Sequence, residues 1–293
     1  MSGPPLVVKI GGSLEDPTTL LDDIAAHQGP LVIVHGAHRV LDELARRLGH
    51  PPRLVTSARG ESSRYTDAAA MDHFLMAYCG LVNKRLVQQL LARDVRAIGL
   101  AAMDAGMVRG RRRTDLRIRE DGRTLMLHGD HAGSIESVDT TVLTSLLEAG
   151  HTPVLCPPAL GDDGSPINVD GDRLAAELAI AIGAERLIIF SDTAGFLADP
   201  DDAGSTLPRA SLEDLGGLAG SARGRVRVKL AAVERALRAG IDAVALCDGR
   251  GARPLCRALD GEGTWFTAPA MEAEATSGAA PQAAAAAGTA VSV

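Results

Sequence analysis

Aromatic residues are scarce in this chain: four Phe, two Tyr and one Trp, 2% of 293 residues. So few rings cannot furnish a stacking surface for single-stranded nucleic acid. A formal net charge of −7 removes the general attraction to a polyanion as well. No nucleic-acid partner is expected. The chain also lacks any run of about 18 apolar residues, and no basic stretch followed by an apolar core opens it. Neither membrane insertion nor export is expected, and the expected location is cytoplasmic. Cys79, Cys156, Cys247 and Cys256 form no C-x-x-C pair, so they read as free thiols in a reducing compartment. Missing too are G-x-x-x-x-G-K-[ST], a complete G-x-G-x-x-G, H-E-x-x-H and G-x-S-x-G, which removes support for four common enzyme classes. Lysine is the last scarcity. Lys9, Lys84 and Lys229 stand against twenty-seven arginines. A lysine that persists in so arginine-rich a chain marks a place where a compact ammonium is needed, or persists by chance.

What is present reads as an α/β protein. Hydrophobic residues make up 46% and charged residues 23%, an ordinary globular balance in a length suited to one large domain or two lobes. Leu6–Ile10, 31–34, 97–100, 153–156, 187–190 and 243–246 are short, strongly apolar strands. They alternate with helical patterns starting at 17 (apolar face Leu20, Leu21 and Ile24), running from 38 to about 48, and covering 67–93 (broken near Gly80), 139–149, 172–182 and 225–239. Asp16-Pro17 has the form of an N-cap followed by Pro at the first helical position, and Asp67 that of an N-cap. Strands apolar on both faces and separated by helices predict a mainly parallel central sheet covered on both sides, a three-layer αβα sandwich. Residues 107–128 break the pattern with short strands around Asp121-Gly122, a tight-hairpin dipeptide. Residues 268–293, almost all Ala, Gly, Ser, Thr, Pro and Val, read as a disordered tail.

Several segments could carry chemistry. Lys9-Ile10-Gly11-Gly12-Ser13 ends the first strand, where open parallel sheets bind ligands. Its glycines let backbone N–H groups approach phosphate oxygens, although such a turn is often only a turn. His35-Gly36 ends the second strand at the same sheet edge. Arg64, before the Asp67 helix, suits a bidentate carboxylate clamp or an ordinary surface role. Asn168-Val169-Asp170-Gly171-Asp172 runs into an Ala/Leu helix; capping explains one of its carboxylates better than two. His128 and His131 flank Gly129-Asp130, and core or surface histidines explain them more readily than a metal pair. Arg109, Arg111, Arg112, Arg113, Arg117 and Arg119 concentrate positive charge against Asp115 alone, either a solvated hairpin or a docking surface for an acidic partner.

Taken together, these segments resemble the amino acid kinase family over residues 6–267. K-x-G-G, His-Gly, S-R-x-T-D at 63–67, N-x-D-G-D, S-D-x-x-G-x-L at 191–197 and G-R-x-x-x-K at 224–229 fall in that family's order. Within it the sequence is most similar to the carrier-protein-dependent LysW-aminoadipate and LysW-glutamate kinases, relatives of N-acetylglutamate kinase. That likeness rests on 78–86 (YCGLVNKRL), 110–113 (GRRR), 157–160 (PPAL), 248–250 (DGR) and 261–264 (GEGT).

The resemblance implies an ATP-dependent kinase that makes an acyl phosphate from the side-chain carboxylate of glutamate or α-aminoadipate. The amino group of that substrate would be carried by a small acidic protein. Lys9 and Lys229 would hold the transferring phosphates and Asp172 would steady both lysines. Gly36, Ala37, Arg64 and Asn168 would bind the amino acid. Gly11, Gly12, Ser191, Asp192, Gly195, Phe196 and Leu197 would bind nucleotide, and the six arginines of 109–119 the carrier. Mg²⁺ would arrive on ATP, with no protein ligand. Lobes over 1–160 (amino acid and carrier) and 161–267 (nucleotide), and a homodimer, are implied too. Many relatives have a second glycine after His-Gly; here Ala37-His38 follows. Kinase action on free N-acetylglutamate is the first alternative, and a non-catalytic nucleotide- or amino-acid-binding regulator the second.

Overall fold

The computed structural model describes residues 3–57, 62–120, 122–199, 201–202, 204–222 and 224–268. In chain order the strands are β1 (Leu6–Ile10), β2 (Leu31–His35), β3 (Arg53–Ser57), β4 (Ser62–Tyr65), β5 (Ala97–Ala101), β6 (Val108–Arg112), β7 (Asp115–Glu120), β8 (Arg123–His128), β9 (Gly133–Val138), β10 (Thr152–Cys156), β11 (Ala159–Gly161), β12 (Pro166–Ile167), β13 (Arg186–Ser191), β14 (Arg209–Ser211), β15 (Ala243–Asp248) and β16 (Thr264–Thr267). The helices are α1 (Thr18–Ala26), α2 (His38–Arg47), α3 (Ala68–Leu75), α4 (Asn83–Leu91), α5 (Thr141–Glu148), α6 (Gly171–Ala181), α7 (Leu215–Ser221), α8 (Arg225–Arg238) and α9 (Pro254–Leu259).

Eight strands form one sheet in the order β14-β16-β15-β13-β1-β2-β10-β5. The pairings are parallel except for β15 with β16. Alternation along each strand sends successive side chains to opposite faces. Val7, Val32, Leu187, Ile189 and Val244 join a core shared with α6 and α8 residues such as Leu178 and Val233. Leu6, Val8, Ile33, Ile188 and Ala245 join the opposite core, with Leu20, Leu86 and Leu255 of α1, α4 and α9. Two cores sandwiching one sheet is the three-layer architecture expected from the buried strands. The Ala-rich tail expected beyond residue 268 lies outside the described residues.

Three local expectations need correction. The helix over 67–93 does not break near Gly80. It continues through a π-helical stretch, Met76–Val82, whose flanking residues Leu75, Met76, Val82 and Asn83 all keep right-handed helical angles. One wide turn re-aims the side chains: Tyr78 stacks on Phe74 with ring centroids 4.0 Å apart, and Cys79 Sγ meets Cys156 Sγ at 3.8 Å. At the first helix, Pro17 takes the capping position, and Asp16 Oδ1 accepts the Thr18 N–H at 2.9 Å. Finally, 107–128 is not one hairpin. Only β7 and β8 pair around Gly122, whose φ is +73°; Asp121 lies outside the described residues. β6 pairs instead with β9 and β11 in a separate four-stranded sheet, while β7 and β8 belong to the sheet β4-β3-β7-β8. The chain crosses between sheets at Arg113-Thr114, where the Thr114 carbonyl accepts the Gly129 and Asp130 N–H groups.

Candidate active site

Where β1, β2 and β13 end, the chain turns through residues too small to fill the space, and a cleft of about 1050 Å³ opens. The turns are tied to one another. Gly11 N donates to Phe190 O at 2.9 Å and Gly36 N to Ile10 O at 2.9 Å. A Cβ on Gly11 would lie 2.7 Å from Phe190 O, and one on Gly36 would lie 2.9 Å from Gly12 N. Glycine here is a demand of close backbone approach.

On the cleft floor, Lys9 from β1 and Lys229 from α8 meet one carboxylate of α6. Lys9 Nζ is 2.6 Å from Asp172 Oδ1, and Lys229 Nζ is 3.6 Å from Asp172 Oδ2. Burial alone would raise the Asp172 carboxyl, but Lys9 and Lys229 outweigh it and hold it below the usual range. Lys229 is lowered from the ordinary lysine value, by burial first and by Lys9 second, with Asp172 opposing. The two carboxylates of the 168–172 segment divide their tasks. Asp170 caps α6, accepting the Asp172 and Arg173 N–H groups at 2.9 Å, while Asp172 faces the lysines. Two ammonium groups fixed on one carboxylate concentrate positive charge of the kind that can receive phosphate oxygens.

Arg64 and Asn168 line the same cleft. Arg64 pairs with Asp42 of α2. Asn168 Nδ2 donates to Thr66 Oγ1 at 3.1 Å. Gly36 is on the wall, but Ala37 is not among the residues lining it; its methyl packs with Leu41, Met71 and Phe74. On the other side, Ser191, Asp192, Gly195, Phe196 and Leu197 all line the cleft. Ser13 Oγ donates to Asp192 Oδ1 at 2.9 Å, joining the first glycine turn to this wall. Gly195 admits Thr264, whose Oγ1 accepts the Phe196 N–H at 2.8 Å. Lys84 donates to Gly99 O and is not part of the cleft lining.

Arg109 is exposed on β6, in register with Ser137 and Leu160; the other five arginines of 109–119 fall into two groups. Arg112 pairs with Asp163, Arg113 with Asp130, and Arg111 with Glu136. Arg117 and Arg119 have no carboxylate partner among the described residues. The β3–β4 and β3–β7 registers put them on one open sheet face with Leu54, Thr56, Met126 and Arg64, opposite the buried Val55, Leu116 and Ile118. Asp115 shares that face and is held by His128 Nδ1 at 2.7 Å.

Sequence reasoning missed Asp130, His38 and Arg225. Asp130 is fully buried; its Oδ1 accepts the Thr66 and Ala132 N–H groups at 3.1 Å each. It thereby fixes Thr66, the residue that follows β4 and its Arg64. The signal was the His-Gly-Asp-His run, visible only as a metal pattern. His131 Nδ1 is in fact 3.0 Å from Pro166 O, and no cluster of three metal-ligating side chains occurs among the described residues.

The sequence profile of the amino acid kinase family matches residues 4–246. The chain is 43% identical over 237 residues to the [LysW]-aminoadipate kinase of Thermus thermophilus, covering 80% of this chain and 88% of that protein. It is 39% identical to the [LysW]-aminoadipate kinase of Deinococcus radiodurans, over 88% of this chain and 90% of the relative. The acetylglutamate kinase of Symbiobacterium thermophilum is 36% identical, with 85% of each chain covered. Among solved structures, N-acetylglutamate synthase from Neisseria gonorrhoeae superposes with a TM-score of 0.74 at 26% identity, over 91% of this chain and 60% of the other. Carbamate kinase from Giardia superposes with a TM-score of 0.64 at 13% identity, over 92% and 100%. No described helix is long and apolar enough to cross a membrane.

Proposed function

The chain belongs to the amino acid kinase family and is an ATP-dependent kinase, and from that premise we propose that it phosphorylates the side-chain carboxylate of a carrier-linked glutamate or α-aminoadipate. A carboxylate oxygen attacks the γ-phosphorus of ATP, the bond from that phosphorus to the β–γ bridging oxygen breaks, and ADP leaves with an acyl phosphate formed. The nucleophile is already an anion, so no strong general base is needed. Rate enhancement rests on alignment and on charge neutralisation.

In this reading Lys9 contacts the phosphoryl group in transit and Lys229 the nucleotide's phosphates, with Asp172 fixing both ammonium groups. Gly11 and Gly12 present backbone N–H groups to phosphate oxygens. Arg64 and Asn168 hold the amino-acid end of the substrate, and the 191–197 wall holds the nucleotide. Residues up to 160 thus supply most of the acceptor side and residues 161–267 most of the nucleotide side; Lys9 and the first glycine turn cross over in one direction and Asn168 in the other. Mg²⁺ carried on the nucleotide would neutralise the β- and γ-phosphates. Lys9, Lys229, Arg64 and Arg225 line the cleft together with Asp170, Asp172, Asp192 and Asp201, so a metal–nucleotide complex would be held through its phosphates at the lysine pair.

The observation that carries the carrier-linked reading is the open face of the β4-β3-β7-β8 sheet. It runs from Arg64, in the cleft, to Arg117 and Arg119, which have no carboxylate partner among the described residues, with exposed Leu54 and Met126 between charges. An acidic protein docked there would lie alongside the arginine that receives its terminal amino acid. The kinases with 43% and 39% identity, both named for LysW-aminoadipate, support the same reading. The test is acyl phosphate formation, trapped as the hydroxamate, with a LysW-type carrier bearing glutamate or α-aminoadipate and with free N-acetylglutamate. A higher kcat/KM on the carrier-linked substrate is expected. Preference for N-acetylglutamate would replace the reading, and ADP release with neither would leave a binding protein.

A further inference from the structure

His38 opens α2 at the rim of the cleft and touches both halves of the site. Its Nε2 lies 2.6 Å from Arg225 Nη1, at the start of α8. A guanidinium has no acceptor, so its N–H donates and Nε2 must accept. The ring proton therefore sits on Nδ1. Nδ1 faces the glycine turn: a Cβ on Gly12 would lie 2.7 Å from it and 2.8 Å from the backbone nitrogens of Ala37 and His38. Three nitrogens thus pack closely around Gly12, which lines the cleft together with His38 and Lys9.

Surrounding charges keep the ring in this form. Burial first and Arg225 second push His38 down to about 4, with Asp42 opposing and Lys9 and Arg64 adding to the fall. The imidazole is neutral at physiological pH. His38 lines the same cleft as Lys9 and Arg64, the residues that the kinase reading places on the phosphoryl group and on the acceptor.

We propose that His38 donates its Nδ1–H to the phosphoryl group as it transfers, and that Arg225 is the positioning residue that fixes the ring's tautomer and orientation. This rests on the kinase reading above and extends it by a donor that the lysines cannot replace. Lys9 and Lys229 supply charge from the floor. His38 and the α2 N-terminus supply directed N–H groups from the rim, where the positive end of the helix dipole already favours an anion.

The test separates the two ring nitrogens. In H38N the amide nitrogen falls near Nδ1 and keeps the donor; in H38Q the amide oxygen reaches the Nε2 position and keeps the Arg225 acceptor; H38A has neither. For H38Q and H38A, kcat should fall at least about tenfold with both KM values within about twofold, and H38N should recover most of that loss. R225A should lower kcat without raising the KM for ATP, and R225K, which still donates to Nε2, should restore part of it.

Binding of ADP with Mg²⁺ and aluminium fluoride, a mimic of the phosphoryl group in flight, gives a readout apart from turnover. H38Q should bind this complex at least about tenfold more weakly than the wild type, with affinity for ADP alone unchanged. Equal losses in H38N and H38Q, or unaltered binding of the fluoroaluminate complex by H38Q, would overturn the assignment of His38. A wild-type protein that binds neither ADP nor the complex would overturn the kinase reading itself.

Discussion

Arg113 donates both Nε and Nη2 to a single oxygen of Asp130, Oδ2, at 3.1 and 2.9 Å. The other Asp130 oxygen accepts the Thr66 and Ala132 N–H groups, and Thr66 Oγ1 in turn accepts from Asn168. An arginine that reads in sequence as part of a docking surface is thus the counter-charge of a fully buried carboxylate. Arg113→Ala leaves that carboxylate unpaired and should destabilise the fold by about 2–4 kcal/mol, seen as a lower denaturation midpoint. Its activity loss should be the same on carrier-linked and on N-acetylated substrate.

Arg117→Ala with Arg119→Ala makes the contrasting case. Neither arginine pairs with a carboxylate among the described residues, so stability should change by no more than about 0.5 kcal/mol. Carrier-linked kcat/KM should drop about tenfold and lose much of its salt dependence. Equal damage on a small N-acetylated substrate would remove this sheet face as the docking surface.

Lys9→Arg and Lys229→Arg should each lower kcat at least about tenfold in folded protein. Both ammonium groups converge on one carboxylate, with Lys9 Nζ only 2.6 Å from it and nearly buried. A planar guanidinium spreads its charge over a wider fork than that space allows. Turnover near the wild-type rate in both variants would dissociate the trio from catalysis.

Asp172→Asn should reduce kcat more than affinity for ATP, because it frees two lysines without deleting a phosphate contact. Arg64→Ala should act on the amino-acid substrate and raise its KM. A rise confined to the KM for ATP would reverse the assignment of the two sides of the cleft.

Most of the central sheet was legible because each strand is an unbroken apolar run: Leu6–Ile10 is buried throughout, as is the stretch Leu187–Ser191 of β13. Lys9 and Lys229 stood out because the chain has so little lysine. Other features needed three dimensions. Alternate side chains of β7 point to opposite faces, so the arginine run says nothing about which arginine meets a carboxylate and which meets solvent. Asp130 carries no periodic signal, since its partners are Thr66 just after β4, Arg113 and Ala132 of its own turn. His38 and Arg225 are 187 positions apart, and neither residue's own segment requires the other. Gly80 reads as a breaker by residue type, yet the helix absorbs it by widening one turn.

The buried histidine at the end of β2 sets the acid limit of the fold. His35 is fully buried; its Nε2 accepts from Asn83 Nδ2 at 3.2 Å, and its Nδ1 lies 3.3 Å from Gly36 O. Burial above all pushes its pKa from 6.5 down to about 4; the Gly36 carbonyl opposes this, and Lys9 and Lys84 add to it. Between those values the unfolded chain holds a proton that the folded chain refuses. Stability is therefore greatest above pH 6.5 and falls as pH drops towards 4, by roughly 3 kcal/mol from this residue. Protonation would also turn Nε2 into a donor facing the Asn83 amide and strain the Gly36 turn on the cleft wall. His35→Gln, which keeps an acceptor for Asn83 and cannot titrate, should lower stability at pH 7 yet flatten its decline on acidification. His38, also held down to about 4, leaves the variant a residual slope. Urea midpoints measured from pH 7.5 to 4.5 decide it: parallel curves for wild type and variant would mean that His35 does not set the acid limit.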